Sequence, residues 1–286
     1  MPCHDREGLQ TLDMPLPLIP IAGALVASAA TGYLAWKNSR SQNHKKWAKE
    51  PFPAEWIEIL KKNVVLYEKL PEWLQKELHG HILIFLKEKS FEGCGGLEVT
   101  EEMKVTVAGL ACIMLLNRES SHYKDLRTIL MYPAAYFSDP DKEEVRLGES
   151  WVHGTVVLSW SDVTSSANDV RDGKNLVLHE FAHQLDQEDG AGDGVPELET
   201  ESQYITWAEV LSKEYDTLVK RTNRGNRTLL RAYGATNPAE FFAVATEVFF
   251  ERPKKMKKKH PELYNELKQF YHLDPANWGH QGWEPD

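Results

Sequence analysis

Cysteine is scarce in this chain of 286 residues: Cys3, Cys94 and Cys112 are the whole set. They are odd in number, widely spaced and form no CxxC pair, which argues against a disulfide-stapled secreted scaffold and against a cysteine-based zinc or redox centre. They read as reduced thiols, with Cys94 and Cys112 as small buried apolar residues. Basic charge is also short. The 33 Lys and Arg against 43 Asp and Glu leave a formal net charge of -10, which excludes a general nucleic-acid binder, because counterion release needs a basic surface. From about Pro53 onward there is no Gly/Ser-rich or Pro-rich linker and no internal repeat. Solenoids are thereby excluded, and one domain is the economical reading. With 42% hydrophobic and 27% charged residues, the chain has the composition of a folded core.

Charge is missing altogether between Asp13 and Lys37. The run from Met14 to Trp36 is long enough to cross a hydrocarbon core of about 30 Å, so the sequence predicts one transmembrane helix over 14–36. Pro15, Pro17 and Pro20 crowd its start, which places the regular helix from near Pro20 to an interfacial Tyr33 or Trp36. A cleaved signal peptide competes with this reading, since Ala27, Ser28 and Ala29 resemble a cleavage site. Asp5, Glu7 and Asp13 against a lone Arg6 give the preceding arm the wrong sign for one. Lys37, Arg40, Lys45, Lys46 and Lys49 follow, and this basic excess faces the cytoplasm. The expectation is an N-terminal arm, membrane helix and basic linker over 1–50 and a cytoplasmic domain over 51–286, with a soluble cytoplasmic protein as the alternative.

Trp56, Ile59, Leu60, Val64 and Tyr67 recur at helical spacing, as do Leu74, Leu78, Ile82, Phe85 and Leu86. The first third is therefore expected to be helical, with these stripes in the core. Met103 to Leu116 reads as another apolar helix. Thr128 to Tyr132 and Thr155 to Trp160 are β-branched runs bounded by turn residues and read as strands. The second run either offers an edge to which an extended peptide adds as a further strand or lies inside the sheet. Helices dominate again from Asn175.

The chemistry is carried by Leu178-His179-Glu180-Phe181-Ala182-His183-Gln184, which contains HExxH. Asn175 to Gln187 has neither Pro nor Gly, and Val177, Leu178, Phe181 and Leu185 make an apolar stripe opposite the two histidines. Residues four apart on a helix project side by side, so His179 and His183 can hold one Zn²⁺ while Glu180 takes a proton from water beside it. Zinc needs a third protein ligand. One candidate is Asp189, since HExxHxxDxxD resembles the extended metzincin motif, although Asp186 stands where that motif turns at a Gly. The other is Glu240, in a helix that starts with Asn237 as N-cap and Pro238 as first residue. A capping box in which Glu240 only bonds back to Asn237 is the bland alternative. Along this helix Phe241, Phe242, Ala245 and Phe249 take one side while Glu240, Val244, Glu247 and Glu251 line the other. Such an acidic face beside HExxH suits a gluzincin, with Glu240 or Glu247 as ligand.

From roughly Trp56 to Pro275 the chain resembles the Mlc titration factor A family, zinc-dependent peptidases with a catalytic core similar to that of anthrax lethal factor. The carrying motifs are Asn175 to His183 with Leu185-Asp186, then Gly194-Val195-Pro196, then Tyr233 with Asn237-Pro238-Ala239-Glu240 and Phe242-Ala243-Val244. Tyr132-Pro133 and Val157-Leu158-Ser159-Trp160 add minor matches. The resemblance implies an α+β, mainly helical zincin-like fold with a small mixed or antiparallel sheet over the HExxH helix. It implies one Zn²⁺ held by His179, His183 and Glu240, Glu180 as general base, and Tyr233 as a phenol reaching the reacting carbonyl oxygen. It further implies aminopeptidase-like hydrolysis of peptide or protein substrates and a transcriptional-repressor partner. A binding protein that sequesters that repressor, with the zinc site secondary, is the competing function. Val244 stands where the thermolysin-type motif has an Asp, so the carboxylate that orients a zinc histidine must come from elsewhere, with Asp186 and Glu247 as the options.

Overall fold

A computed structural model describes residues 19–134, 136–137, 145–146, 148–151, 154–168 and 172–278. Cys3, the acidic arm and Met14 to Leu18 of the apolar stretch lie outside them. The chain divides into two units between Lys46 and Trp47. Helix α1 (Ile19–Trp47) belongs almost wholly to the first. It does not end at Tyr33 or Trp36 as expected. Nothing from Trp36 to Trp47 breaks a helix, since that segment has neither Gly nor Pro, so α1 continues through Lys37, Arg40, Lys45 and Lys46. Among the described residues no helix is long and apolar enough to cross a membrane, and the span expected over 14–36 has no counterpart there.

The second unit runs through α2 (Ala54–Asn63), α3 (Glu72–Glu88), β1 (Ser90–Gly93), α4 (Glu101–Ile113), β2 (Thr128–Tyr132), β3 (Tyr136–Phe137), β4 (Val145–Arg146), β5 (Gly148–Trp151) and β6 (Thr155–Ser159). Then come α5 (Trp160–Asn168), α6 (Leu176–Asp186), α7 (Glu201–Asn223), α8 (Pro238–Glu251), α9 (Pro253–Lys259) and α10 (Pro261–Tyr271). The fold is mainly helical with a small sheet, an α+β architecture. The main sheet has the order β1-β2-β6-β5. β1, β2 and β6 are parallel, while β5 runs antiparallel to β6, so the sheet is mixed. The run beginning at Thr155 is therefore interior, bonded to β2 on one side and β5 on the other, and of the two positions open to it the edge is ruled out. The β-branched pattern reads alike in both settings, because it reports burial of side chains and says nothing of free backbone. Both β5 and β6 lie against α6.

α2 and α4 meet almost without a gap: a Cβ added at Gly109 would come within 2.5 Å of Leu60 Cδ2. Behind them α6 inserts Phe181 into a ring cluster, 5.7 Å from Phe85 and 4.9 Å from Tyr123 between centroids. The expected two-sided α8 is instead buried all round from Phe241 to Glu251. Phe242 packs with Trp207 and Phe270, and Phe250 with Tyr271 and Trp278. Glu247 and Glu251 can therefore meet only protein groups, and α6 packs beside this helix. Cys112 is buried as expected, its thiol pushed up by burial. Cys94 is only half-buried, a correction to the reading of both as core residues.

Candidate metal centre

The site is assembled from two capped helix starts. Asn175 Oδ1 accepts the Leu178 N–H at 3.1 Å and begins α6. That start sets His179 and His183 on one face, their ring centroids 4.9 Å apart and their planes at 86°. Asn237 Oδ1 accepts the Glu240 N–H at 2.9 Å, and Pro238 opens α8. Glu240 uses its backbone in the cap and sends its carboxylate across to α6. Its Oε2 lies 3.0 Å from His179 Nε2 and 3.4 Å from His183 Nε2. Neither imidazole is aimed to make a hydrogen bond, so this buried oxygen is unsatisfied. Three lone-pair donors with all ligand atoms within 4.8 Å of one another, one an orphaned buried carboxylate oxygen, fit a single cation better than they fit each other.

Burial alone would lower His179, but the close Glu240 carboxylate and the hydrogen bond to the Glu247 carboxylate outweigh it and push its pKa up to about 10. Glu240 is held well below the usual carboxylate range: burial opposes ionisation, and the pull of the facing His179 and His183 imidazoles overcomes it. A ligating imidazole must be neutral, so metal entry displaces the His179 proton. We expect about one proton released per metal near pH 7. Titration calorimetry in two buffers of different ionisation enthalpy measures it, and heats independent of buffer would contradict it.

Glu180 is buried, and loss of solvent raises its pKa to about 6 despite the opposing pull of both histidines. Tyr233 comes from the 3-10 turn Ala232–Ala235, is 50% exposed, and sets its ring 5.8 Å from that of His179. Burial of its hydroxyl and the Glu240 carboxylate push the phenol up to about 12. It therefore stays a donor at neutral pH.

Of the two candidates for orienting a histidine, Glu247 has the place. Its Oε1 accepts from His179 Nδ1 at 2.7 Å and from the Arg231 guanidinium, and its Oε2 accepts the Asn175 N–H at 2.8 Å. Glu251, one turn on, accepts from Asn175 Nδ2 at 3.1 Å, and burial raises its pKa to about 9, so it is neutral at pH 7. Asp186 does something else: both its oxygens accept the Gly194 N–H, at 2.8 and 2.9 Å. Trp207 Nε1 donates to the Gly194 carbonyl at 3.1 Å. Gly194 has φ +86°, and a Cβ there would sit 2.5 Å from the Pro238 carbonyl oxygen. Only glycine lets this loop rest on the first residue of α8. Asp189, the rival third ligand, is exposed and caps a turn through the Ala191 N–H at 2.9 Å. The cluster thus brings together His179, His183, Glu240, Glu180 and Tyr233 and leaves Asp189 out. Arg231 was not singled out in the sequence, and no local pattern marks it.

Residues 36–272 match the family model described as glucose-regulated metallo-peptidase M90. An uncharacterised protein of Synechocystis is 36% identical over 255 residues, covering 85% of this chain and 92% of its own. Proteins named Mlc titration factor A from Escherichia coli O7:K1 and from Shigella flexneri serotype 5b are each 30% identical over 250 residues, covering 81% of this chain and 90% of their own.

Proposed function

The chain belongs to the Mlc titration factor A family of M90 metallopeptidases, and from that premise we propose that it is a zinc-dependent, aminopeptidase-like peptidase whose metal is held by His179, His183 and Glu240. The observation that carries this reading is the convergence of those three side chains beside Glu180. When bound, zinc supplies Lewis-acid activation of water and of the scissile carbonyl. Glu180 takes the proton of the attacking water and passes it to the leaving amine as the C–N bond breaks. Its raised pKa suits both halves of that transfer. Tyr233, half-exposed at the rim, donates its hydroxyl to the oxyanion as it develops. Tyr233→Phe is expected to lower kcat roughly 10²–10³-fold with little change in KM, and unchanged kcat in steady-state assays removes Tyr233 from the reaction.

The experiment that tests the whole reading is elemental analysis of the full-length chain alongside peptide hydrolysis before chelation, after it, and after zinc is returned. One zinc per chain and recovery by zinc alone support the peptidase. A metal-free, inert chain overturns it and favours the second reading, a binding protein for a repressor of the Mlc kind, for which the relatives' name speaks. In that case Glu180→Gln still sequesters the repressor.

For location we keep as a proposal a cytoplasmic catalytic unit tethered through its N-terminal segment. The uncharged run over 14–36 and the basic residues after it support this. Carbonate extraction that strips the chain from membranes would remove the tether and leave the soluble alternative.

A further inference from the structure

Glu247 is fully buried, and a carboxylate so placed is costly unless it is paired. Of the three groups that bond it, the Asn175 N–H is neutral and His179 is a proposed ligand of the metal. The Arg231 guanidinium is the one fixed charge. Arg231 is also the residue from which the Tyr233 turn springs: its carbonyl accepts the Gly234 N–H at 3.1 Å. Its guanidinium carbon lies 5.8 Å from the centre of the Tyr233 ring.

We infer that Arg231 is a positioning residue of the metal centre: it holds Glu247 aimed at the His179 Nδ1–H, so that the Nε2 lone pair of His179 is presented to the metal. The same contact ties the turn that carries Tyr233 to α8, and through Glu247 to the histidine helix α6. The inference rests on the metal-site reading above. A lone exposed Arg–carboxylate pair is worth little, but here the carboxylate is buried and bonded to a ligand, so the loss should be felt at the metal. Removing groups that orient a ligating histidine typically weakens metal binding about 10–100-fold.

The test is the Zn²⁺ affinity of the full-length chain by competition with a chromophoric chelator, for wild type, Arg231→Met, Arg231→Lys, Glu247→Gln and the Arg231→Met/Glu247→Gln pair. We expect Arg231→Met to bind zinc about 10–100-fold more weakly and Arg231→Lys to recover part of that. The double variant should be no weaker than Glu247→Gln, because both changes act through one contact. Zinc binding that is weakened in Arg231→Met while circular dichroism shows the variant folded at the assay temperature, and partly regained in Arg231→Lys, separates positioning from general support of the fold. If wild type holds one zinc and Arg231→Met matches it within about twofold, or if the two losses simply add, the inference is overturned and the metal reading stands. A wild-type chain that takes up no zinc overturns both. Should Arg231→Met fail to fold, Arg231→Gln, which keeps a donor and loses the charge, is read in the same way.

Discussion

Glu180→Gln is expected to keep its full complement of metal while kcat for peptide hydrolysis falls roughly 10²–10⁴-fold. The substitution conserves shape and removes the one thing the side chain does, which is to accept a proton. Glu180 lies beside the ligands and is buried enough that desolvation already lifts its pKa to about 6. Replacing a buried ionisable group by its neutral isostere should therefore leave the fold as stable as before, or more so. The sign of the pH dependence follows: the base works only when ionised, so wild-type activity rises with pH through about 6, and the variant lacks this limb. Elemental analysis, melting and a pH profile on one preparation check all three points. A variant that retains more than about a tenth of wild-type kcat would remove Glu180 from proton transfer.

The second large effect falls on binding. Glu240→Ala deletes one of three converging donors, and its metal affinity should drop by more than the roughly 10–100-fold that follows loss of a supporting hydrogen bond. Activity at limiting metal disappears with it. A change in the fold would produce the same loss, so the metal-free state is the control. There Glu240 Oε2 is a buried oxygen without a hydrogen bond, and its removal takes away a cost as well as the attraction to His179. Chelated wild type and Glu240→Ala should melt within a few degrees of each other, whereas added zinc should raise the melting temperature of wild type alone, as mass action requires. If Glu240→Ala binds zinc as wild type does, the third ligand lies elsewhere, and Asp189 and Glu247 return.

Legibility tracked the range of the interaction. His179 and His183 are four residues apart, and helix geometry alone puts them side by side. The Asn237-Pro238 start of α8 is equally local. The meeting of Glu240 with the histidines is not local: helical spacing offered Glu240 and Glu247 alike on one acidic face, and the choice between them rested on resemblance to a family. Glu247 and Asp186 both looked able to orient a histidine, because a carboxylate in a helix is marked by its type and not by what faces it. Their separate duties, one to His179 and one to Gly194, are set by how α6, α8 and the intervening loop pack. Arg231 left no trace at all, since an arginine in a polar stretch looks like any surface arginine until its partner is seen to be buried. The end of α1 was misplaced for a related reason. Lys37 marks where a bilayer would end, but a helix stops only where its backbone is interrupted, and nothing from Trp36 to Trp47 does that.

The contact of Gly194 with Pro238 has a topological consequence. It pins together the two ends of the excursion that contains α7, so that stretch leaves the metal site and returns to it at nearly the same point. The turn at its far end, Arg224 to Asn226, is exposed. A chain cut at that turn would yield one piece carrying both histidines and another carrying Glu240 and Tyr233. Neither piece has the full set of three donors, so metal uptake would report whether the two pieces had come back together.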